Sequence, residues 1–298
     1  MKRQKDSNAF RLLRHLRSED GIVLERHSAL QVVFKKMTIT QPSAITIFVI
    51  ATKSYVDYAL NLIKSSSRWV ESATQIQFLL LTDSEIDMQQ FDLHPKSITV
   101  NSFQIPSYGW PEATLLRFHL MVDHWHHVTG GVVMYLDADT QIVSPISFSD
   151  LFKLSNSSYS NGVTPVLHPG YFNRSKVINF LNRTRLGPWE IRKGSAAYVP
   201  YKLRKGYVCG GVIWGLNKSF FQLCTDLKSK IDLDLQNSIV AKHNDESHLN
   251  NWFTQHPTLA ATPEWAYAKG YKNLAGIAPR IEVIHKPATF NRIPTKLD

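Results

Sequence analysis

The run Val132-Val133-Met134-Tyr135-Leu136-Asp137-Ala138-Asp139 decides how this chain is read. It follows Gly130-Gly131 and is apolar up to Leu136, which reads as a buried strand ending in two carboxylates. In an extended chain residues i and i+2 point to one side, so Asp137 and Asp139 are expected to face one ligand while Ala138 packs away from it. Carboxylate oxygens placed this way suit a hard divalent ion, Mg2+ or Mn2+, which keeps positions open for phosphate oxygens. Aspartates are also favoured where a strand runs into a turn, so the pair alone leaves a plain turn open.

On the N-terminal side, Ile45 to Ala51 reads as a first core strand, followed by Thr52-Lys53-Ser54 and a helix through Tyr55, Tyr58, Ala59 and Leu62. Gln75 to Leu81 is a second strand, ending at Thr82-Asp83. Apolar strand, polar turn and amphipathic helix in alternation predict an α/β fold with a mainly parallel central sheet and flanking helices. Ligands of such sheets collect outside the carboxyl ends of the strands, so the turn after Ala51 and the Asp137/Asp139 pair should share an edge. Thr114 to Trp125 predicts a helix carrying Arg117. His124, His126 and His127 lack zinc-site spacing and read as a helix terminus.

On the C-terminal side, Thr140 to Pro145 gives a short strand and a turn, and Leu167-His168-Pro169-Gly170-Tyr171-Phe172 a bend with aromatic rims. Residues 173–194 are basic and irregular, the pattern of a surface excursion. Tyr207 to Trp214 is strand-like, with Gly210 and Gly211 offering backbone for close approach. In Asn244-Asp245-Glu246-Ser247-His248-Leu249-Asn250, Asn244 or Asp245 is placed to cap a helix, and the helix dipole alone accounts for Glu246. Ile281 to Lys286 reads as a last strand, with Lys286 and Arg292 as ordinary surface cations of a tail.

The chain has 298 residues, 43% of them hydrophobic, which is enough for one large core or two modest ones. Residues 1–36 carry nine Lys/Arg against four Asp/Glu, and Phe10, Leu13 and Leu16 recur there among Arg11, Arg14 and Arg17. That is a basic amphipathic helix suited to peripheral contact with an anionic membrane, or a solvated leader. No apolar run long enough to span a bilayer and no signal peptide is found, and Cys209 and Cys224 alone do not make a disulfide framework. A cytoplasmic location is therefore expected. The basic excess also admits a non-enzymatic nucleic-acid or anionic-surface binding protein, but no zinc-finger spacing or RNP-like motif supports one, and no nucleic acid partner is expected.

Taken in order, Leu167-His168-Pro169-Gly170, then Ala197-Tyr198-Val199-Pro200 running without a gap to Gly210-Gly211, then Asp245 to Asn250, resemble glycosyltransferase family 6. This is the family of the histo-blood-group A and B transferases and of α-1,3-galactosyltransferase. Thr262-Pro263-Glu264 adds a weaker match, and the resemblance covers roughly residues 45–293. It implies a GT-A fold, with a leader over 1–44, a nucleotide-binding half over 45–145 and an acceptor-binding half over 146–298. It also implies Mn2+-assisted transfer, with retention of configuration, of galactose or N-acetylgalactosamine from UDP to an oligosaccharide or glycolipid hydroxyl.

By the same resemblance Asp137 and Asp139 would hold the metal. Ala51, Thr52 and Tyr55 would line the uridine pocket, and Arg117 would touch the donor sugar beside the metal motif containing Ala138. Lys286 and Arg292 would close over the diphosphate. Glu246 would face the anomeric carbon, as a covalent nucleophile or as a stabiliser of an oxocarbenium-like species. Asp245 would hold donor-sugar hydroxyls and His168 the donor or the acceptor. Positions Cys209 and Gly211 help choose the donor, and the small Gly211 points towards the N-acetylated sugar.

The chain departs from vertebrate members in having His243-Asn244 where they have Trp-His, and in a longer 173–194 segment. It keeps Asp-Ala-Asp where many bacterial members have asparagines. A glycogenin-like GT-A enzyme using UDP-glucose shares Asp-x-Asp and a late segment like His285-Lys286-Pro287, but not the Asp245–Asn250 match.

Overall fold

A computed structural model of the protein describes residues 44–69, 71, 74–86, 97–109 and 111–285. The basic leader up to residue 43, Lys286 and Arg292 lie outside them. β1 (Ala44–Ala51) leads through a 3-10 turn at Lys53–Tyr55 into α1 (Val56–Trp69), followed by β2 (Gln75–Thr82) and β3 (Ile98–Gln104). Next come α2 (Glu112–Leu115), α3 (Arg117–Asp123), β4 (Val132–Leu136), β5 (Thr140–Ile142), α4 (Phe148–Ser155), β6 (Val163–Leu167) and α5 (Lys176–Asn182). β7 (Val208–Leu216), α6 (Asn217–Gln236), α7 (Asn244–Gln255), β8 (Tyr267–Ala268) and β9 (Ile281–Val283) complete the described chain.

Six of these strands make one sheet in the order β3-β2-β1-β4-β7-β6. The first four are parallel, while β7 and β6 join antiparallel, so the sheet is mostly parallel as the alternation predicts. Every residue of β1 is buried, because the sheet is covered on both faces. Ile45, Ile47 and Val49 pack with Leu62 and Ile63 of α1 on one side. Phe48 and Ile50 pack with Phe118 and Met121 of α3 and with Phe220 and Leu223 of α6 on the other. The two-residue period of the strand thus assigns each side chain to its layer.

Register sets the place of the site. The parallel ladder of β1 and β4 ends with Phe48 opposite Tyr135, so both strands deliver their carboxyl ends to one edge. β7 runs the other way, with Leu136 opposite Val212, and therefore enters the sheet at that same edge carrying Gly210 and Gly211. β5 and β9 pair beside it, and the Ile284 N–H donates to the Asp139 carbonyl at 2.7 Å. The residues just before Lys286 are in this way fastened to the Asp137–Asp139 turn.

Four local expectations need correction. Asp137 to Asp139 is not extended: the strand stops at Leu136, and Thr140 donates its N–H (3.2 Å) and its hydroxyl (2.7 Å) to the Asp137 carbonyl, closing a turn. The Thr114–Trp125 helix is broken at Leu116 into α2 and α3. Neither Asn244 nor Asp245 caps α7, since His243 stands at the cap position with no side-chain bond and Asn244 has φ +45°. The 173–194 excursion is not wholly irregular, because Ser175 accepts the Ile178 N–H and caps α5. His124 Nδ1 pairs with the Leu120 carbonyl at 2.9 Å, and no group of three or more His, Cys, Asp or Glu placed to hold a metal occurs among the described residues.

Candidate active site

Arg117, at the start of α3 and 5% exposed, is the hub of the edge where β4 ends. Its Nη1 donates to the Gly210 carbonyl at 2.7 Å and lies 3.5 Å from Asp137 Oδ1. Its Nε stands 2.8 Å from Asp245 Oδ2, a close ion pair without hydrogen-bond alignment. The guanidinium also lies 4.6 Å from the centre of the Tyr135 ring. Burial disfavours its charge, but Asp245, Tyr135 and Asp137 outweigh that and hold it protonated. Tyr135, two residues before Asp137, donates its hydroxyl to Asp137 Oδ1 at 2.8 Å. The sequence reading treated Tyr135 only as core. The signal was a phenol in an otherwise aliphatic run, whose hydroxyl needs a partner when buried.

Opposite Asp137, the backbone of Gly210 connects the two halves of the site. Its carbonyl accepts from Arg117, while its N–H donates to Glu246 Oε2 at 2.8 Å. Burial pushes the Glu246 carboxyl up to about 7 against the pull of that N–H, with Asp245 adding to the rise. Burial likewise lifts Asp245 to about 6, opposed by Arg117. Tyr207, a second residue not anticipated, is buried with its hydroxyl beside Glu246, and desolvation followed by that carboxylate holds its phenol protonated.

Gly211 is required by its neighbour. A Cβ there would stand 2.5 Å from Asp137 Oδ2. Since Oδ1 is taken by Tyr135 and Arg117, Oδ2 is the oxygen of Asp137 free of hydrogen bonds to described residues, and its side chain is 37% exposed. Asp139 is buried, 7% exposed. The open Oδ2 of Asp137, with Asp139 in the same turn, is a donor of the kind a hard divalent ion takes, the rest of its shell being left to phosphate oxygens and water. Nothing in this donor set opposes the metal reading.

Each residue of the Asp245–Asn250 segment has a task. Asp245 meets Arg117 and Glu246 meets Gly210. Ser247 Oγ accepts the His243 N–H, and His248 lies 3.4 Å from buried Asp234, which also takes the Ser195 hydroxyl and the Ala196 N–H. Leu249 is core. The Asn250 amide pairs with both the N–H and the carbonyl of Val208 (2.9 Å each), acting as a side-chain substitute for a strand partner, and this pins α7 to β7.

His168, just beyond β6, accepts the Gly170 N–H on Nδ1 at 3.0 Å, which leaves the proton on Nε2. Burial, then His243, lowers it to about 4, so it is a neutral donor at physiological pH. Beside it Tyr171, Asn179, Arg183, Trp189, Arg204 and Tyr207 help to line a hollow of about 330 Å3. Ala51 and Thr52 are buried at the end of β1, where the Thr52 hydroxyl donates to the Tyr108 carbonyl at 2.8 Å, and Tyr55 is half-buried in the following turn. The structure thus brings Arg117, Asp137, Asp245, Glu246 and Gly211 together. It sets Ala51, Thr52 and Tyr55 at the adjoining strand end and His168 at the far side. Cys209 is buried and unpaired, as is Cys224.

A family model for glycosyltransferase family 6 matches residues 22–291. The chain is 29% identical to the O-antigen biosynthesis glycosyltransferase WbnI of Escherichia coli over 178 residues, covering 59% of this chain and 69% of that protein. It is 25% identical to the chicken globoside α-1,3-N-acetylgalactosaminyltransferase 1 over 222 residues, 73% of this chain and 60% of that one. Against the rat histo-blood group ABO system transferase 1 it is 24% identical over 261 residues, 85% of this chain and 69% of that protein. The mostly parallel sheet with helices on both faces agrees with the GT-A-like architecture expected of such enzymes.

Proposed function

Because the chain belongs to glycosyltransferase family 6 and is thereby a transferase acting on a nucleotide-sugar donor and a glycan acceptor, we propose that it moves N-acetylgalactosamine or galactose from UDP to a glycan hydroxyl. Transfer is α-1,3, with retention of configuration. The observation that carries this reading is the Gly210 bridge: the backbone of one residue ties the Arg117–Asp137 side of the edge to Glu246. A donor diphosphate at the first would bring the anomeric carbon, joined to its β-phosphate through one oxygen, towards the second.

In this reading Ala51, Thr52 and Tyr55 hold the uridine, Arg117 and Asp245 orient the donor sugar, and Asp137 and Asp139 hold Mn2+ or Mg2+. The ion supplies positive charge to the departing diphosphate. Lys286 and Arg292, beyond the described residues, add to it. Glu246, one oxygen fixed by the Gly210 N–H, presents its carboxylate to the anomeric carbon, and the neutral His168 donates from Nε2 to a sugar hydroxyl. The hollow lined by Tyr171, Trp189 and Tyr207 receives the acceptor, with aromatic faces to stack on a sugar ring. Gly211 favours the N-acetylated donor, although Asp137 by itself already demands a glycine there.

UDP release from UDP-N-acetylgalactosamine, UDP-galactose and UDP-glucose, with and without Mn2+, tests the reading beside an Asp139→Asn variant. The expected result is metal-dependent turnover of a galactose-type donor, lost in the variant. Preference for UDP-glucose, or equal turnover without metal, would oppose it.

A further inference from the structure

The positive charge of this protein is concentrated in the stretch of sequence that supplies most of the hollow. Between residues 151 and 225 there are eleven Lys and Arg against a single acid, Glu190, a net of +10 that equals the net charge of the entire chain. That acid is buried and engaged by Arg192 at 2.6 Å, so the segment shows solvent cations only.

At its centre stands α5, which buries none of its residues. Val177 is 69% exposed, Phe180 59% and, just beyond the helix, Leu186 81%, with Ile178 and Leu181 at 41%. Val177, Phe180 and Leu181 recur at i, i+3 and i+4 and so share one face. Asn179, Asn182 and Arg183 from the same segment instead line the hollow to which Tyr207 contributes. Arg183 lies 4.8 Å from the centre of the Tyr201 ring, which joins the patch to Tyr201 and Leu203, themselves 42% and 46% exposed. Lys176, Arg185, Lys202 and Lys205 belong to the same segments and are exposed.

Exposed aliphatic and aromatic side chains ringed by cations, with no surface acid, match the interfacial helices that lie in the headgroup layer of an anionic bilayer. We propose that α5 and the turn through Leu186 dock on an anionic membrane surface, with Val177, Phe180 and Leu186 entering the acyl boundary and the surrounding cations meeting lipid headgroups. A second copy of this chain is a poor occupant, because a two-fold contact would oppose like charges. A nucleic acid gives the aliphatic side chains nothing to bury against. If the hollow is the acceptor site, as the proposed function has it, docking sets that site at headgroup level, where a glycolipid acceptor presents its sugar. The docking itself does not depend on that reading.

Flotation of the full-length protein with phosphatidylcholine vesicles, with and without phosphatidylglycerol, tests it. The wild type is expected to float with the anionic vesicles. Phe180→Ser/Leu186→Ser and Lys176→Gln/Arg185→Gln/Lys202→Gln should each bind about tenfold more weakly, the wild type losing affinity as salt rises. Both variants should keep the wild-type melting temperature and acceptor-free donor hydrolysis, and Arg11→Gln/Arg14→Gln/Arg17→Gln in the leader should retain the α5-dependent binding. The proposal is overturned if the wild type does not float, if neither α5 variant weakens binding, or if only the leader variant does. It is overturned equally if the wild type is a dimer that Phe180→Ser/Leu186→Ser dissociates. Normal flotation behaviour without any donor turnover would remove the transferase reading and leave the docking in place.

Discussion

Replacing Glu246 by Gln should make the protein more stable and nearly inactive, and the stability gain should depend on pH in a defined sense. The Glu246 carboxyl rises from 4.5 to about 7 in the folded protein, chiefly through burial. A carboxyl raised on folding contributes no penalty below its unfolded value, where both states are protonated; the cost grows between about 4.5 and 7 and is complete above that. At about 1.4 kcal/mol per unit the shift corresponds to about 3 kcal/mol, which the partial opening of Glu246 to the cleft reduces to about 1–2 kcal/mol. Gln keeps the shape and an acceptor for the Gly210 N–H but removes the charge. Calorimetry on metal-free protein should therefore show the variant melting roughly 2–8 °C above wild type near pH 8, with the advantage shrinking towards pH 5. Donor turnover should fall about a thousandfold or more. A variant less stable than wild type at about pH 8, or a melting difference constant across the range, would refute the placement of a strained carboxylate.

The remaining predictions concern what surrounds it. Tyr135→Phe removes the hydroxyl that holds Asp137 Oδ1, so the Mn2+ concentration for half-maximal activity should rise about 10- to 100-fold with little change in melting temperature. Gly211→Ala places a methyl 2.5 Å from Asp137 Oδ2, and should likewise raise the Mn2+ requirement before it changes sugar preference; the two are separated by titrating metal against each donor. Asn250→Ala leaves the buried N–H and carbonyl of Val208 unpaired at a cost of about 2–3 kcal/mol, seen as a drop of roughly 4–12 °C in melting temperature. If Glu246 acts ionised, kcat/KM should climb tenfold per pH unit below about 7 and level off above it, and this limb should vanish from the residual rate of Glu246→Gln.

The sheet was legible because β1, β2 and β4 are continuous apolar runs whose two faces are both covered, and the placement of Ala51 and Asp137 at one edge follows from that alone. The partners of Asp137 were less legible. An i, i+2 rule was applied forward from Asp137 to Asp139, where a turn intervenes, when it holds backward to Tyr135. Arg117, Gly210 and Asp245 are far apart in sequence, and only the antiparallel return of β7 beside β4 brings them to one point. Asn244 and Asp245 are both cap candidates by residue type, yet the left-handed φ of Asn244 and the Ser247–His243 bond start α7 differently. The basic character of residues 173–194 is legible in the sequence, but the exposed apolar face of α5 among those cations is not, because Val177, Phe180 and Leu181 read equally well as core positions.

The most direct test of a site in which the Asp137 turn binds and Glu246 reacts is one titration paired with one rate. UDP binding in the presence of Mn2+, measured by calorimetry, should be lost in Asp137→Asn and kept within a few-fold in Glu246→Gln, while donor turnover is lost in both. Turnover by Glu246→Gln at the wild-type rate, or Mn2+-coupled UDP binding that survives in Asp137→Asn, would contradict it.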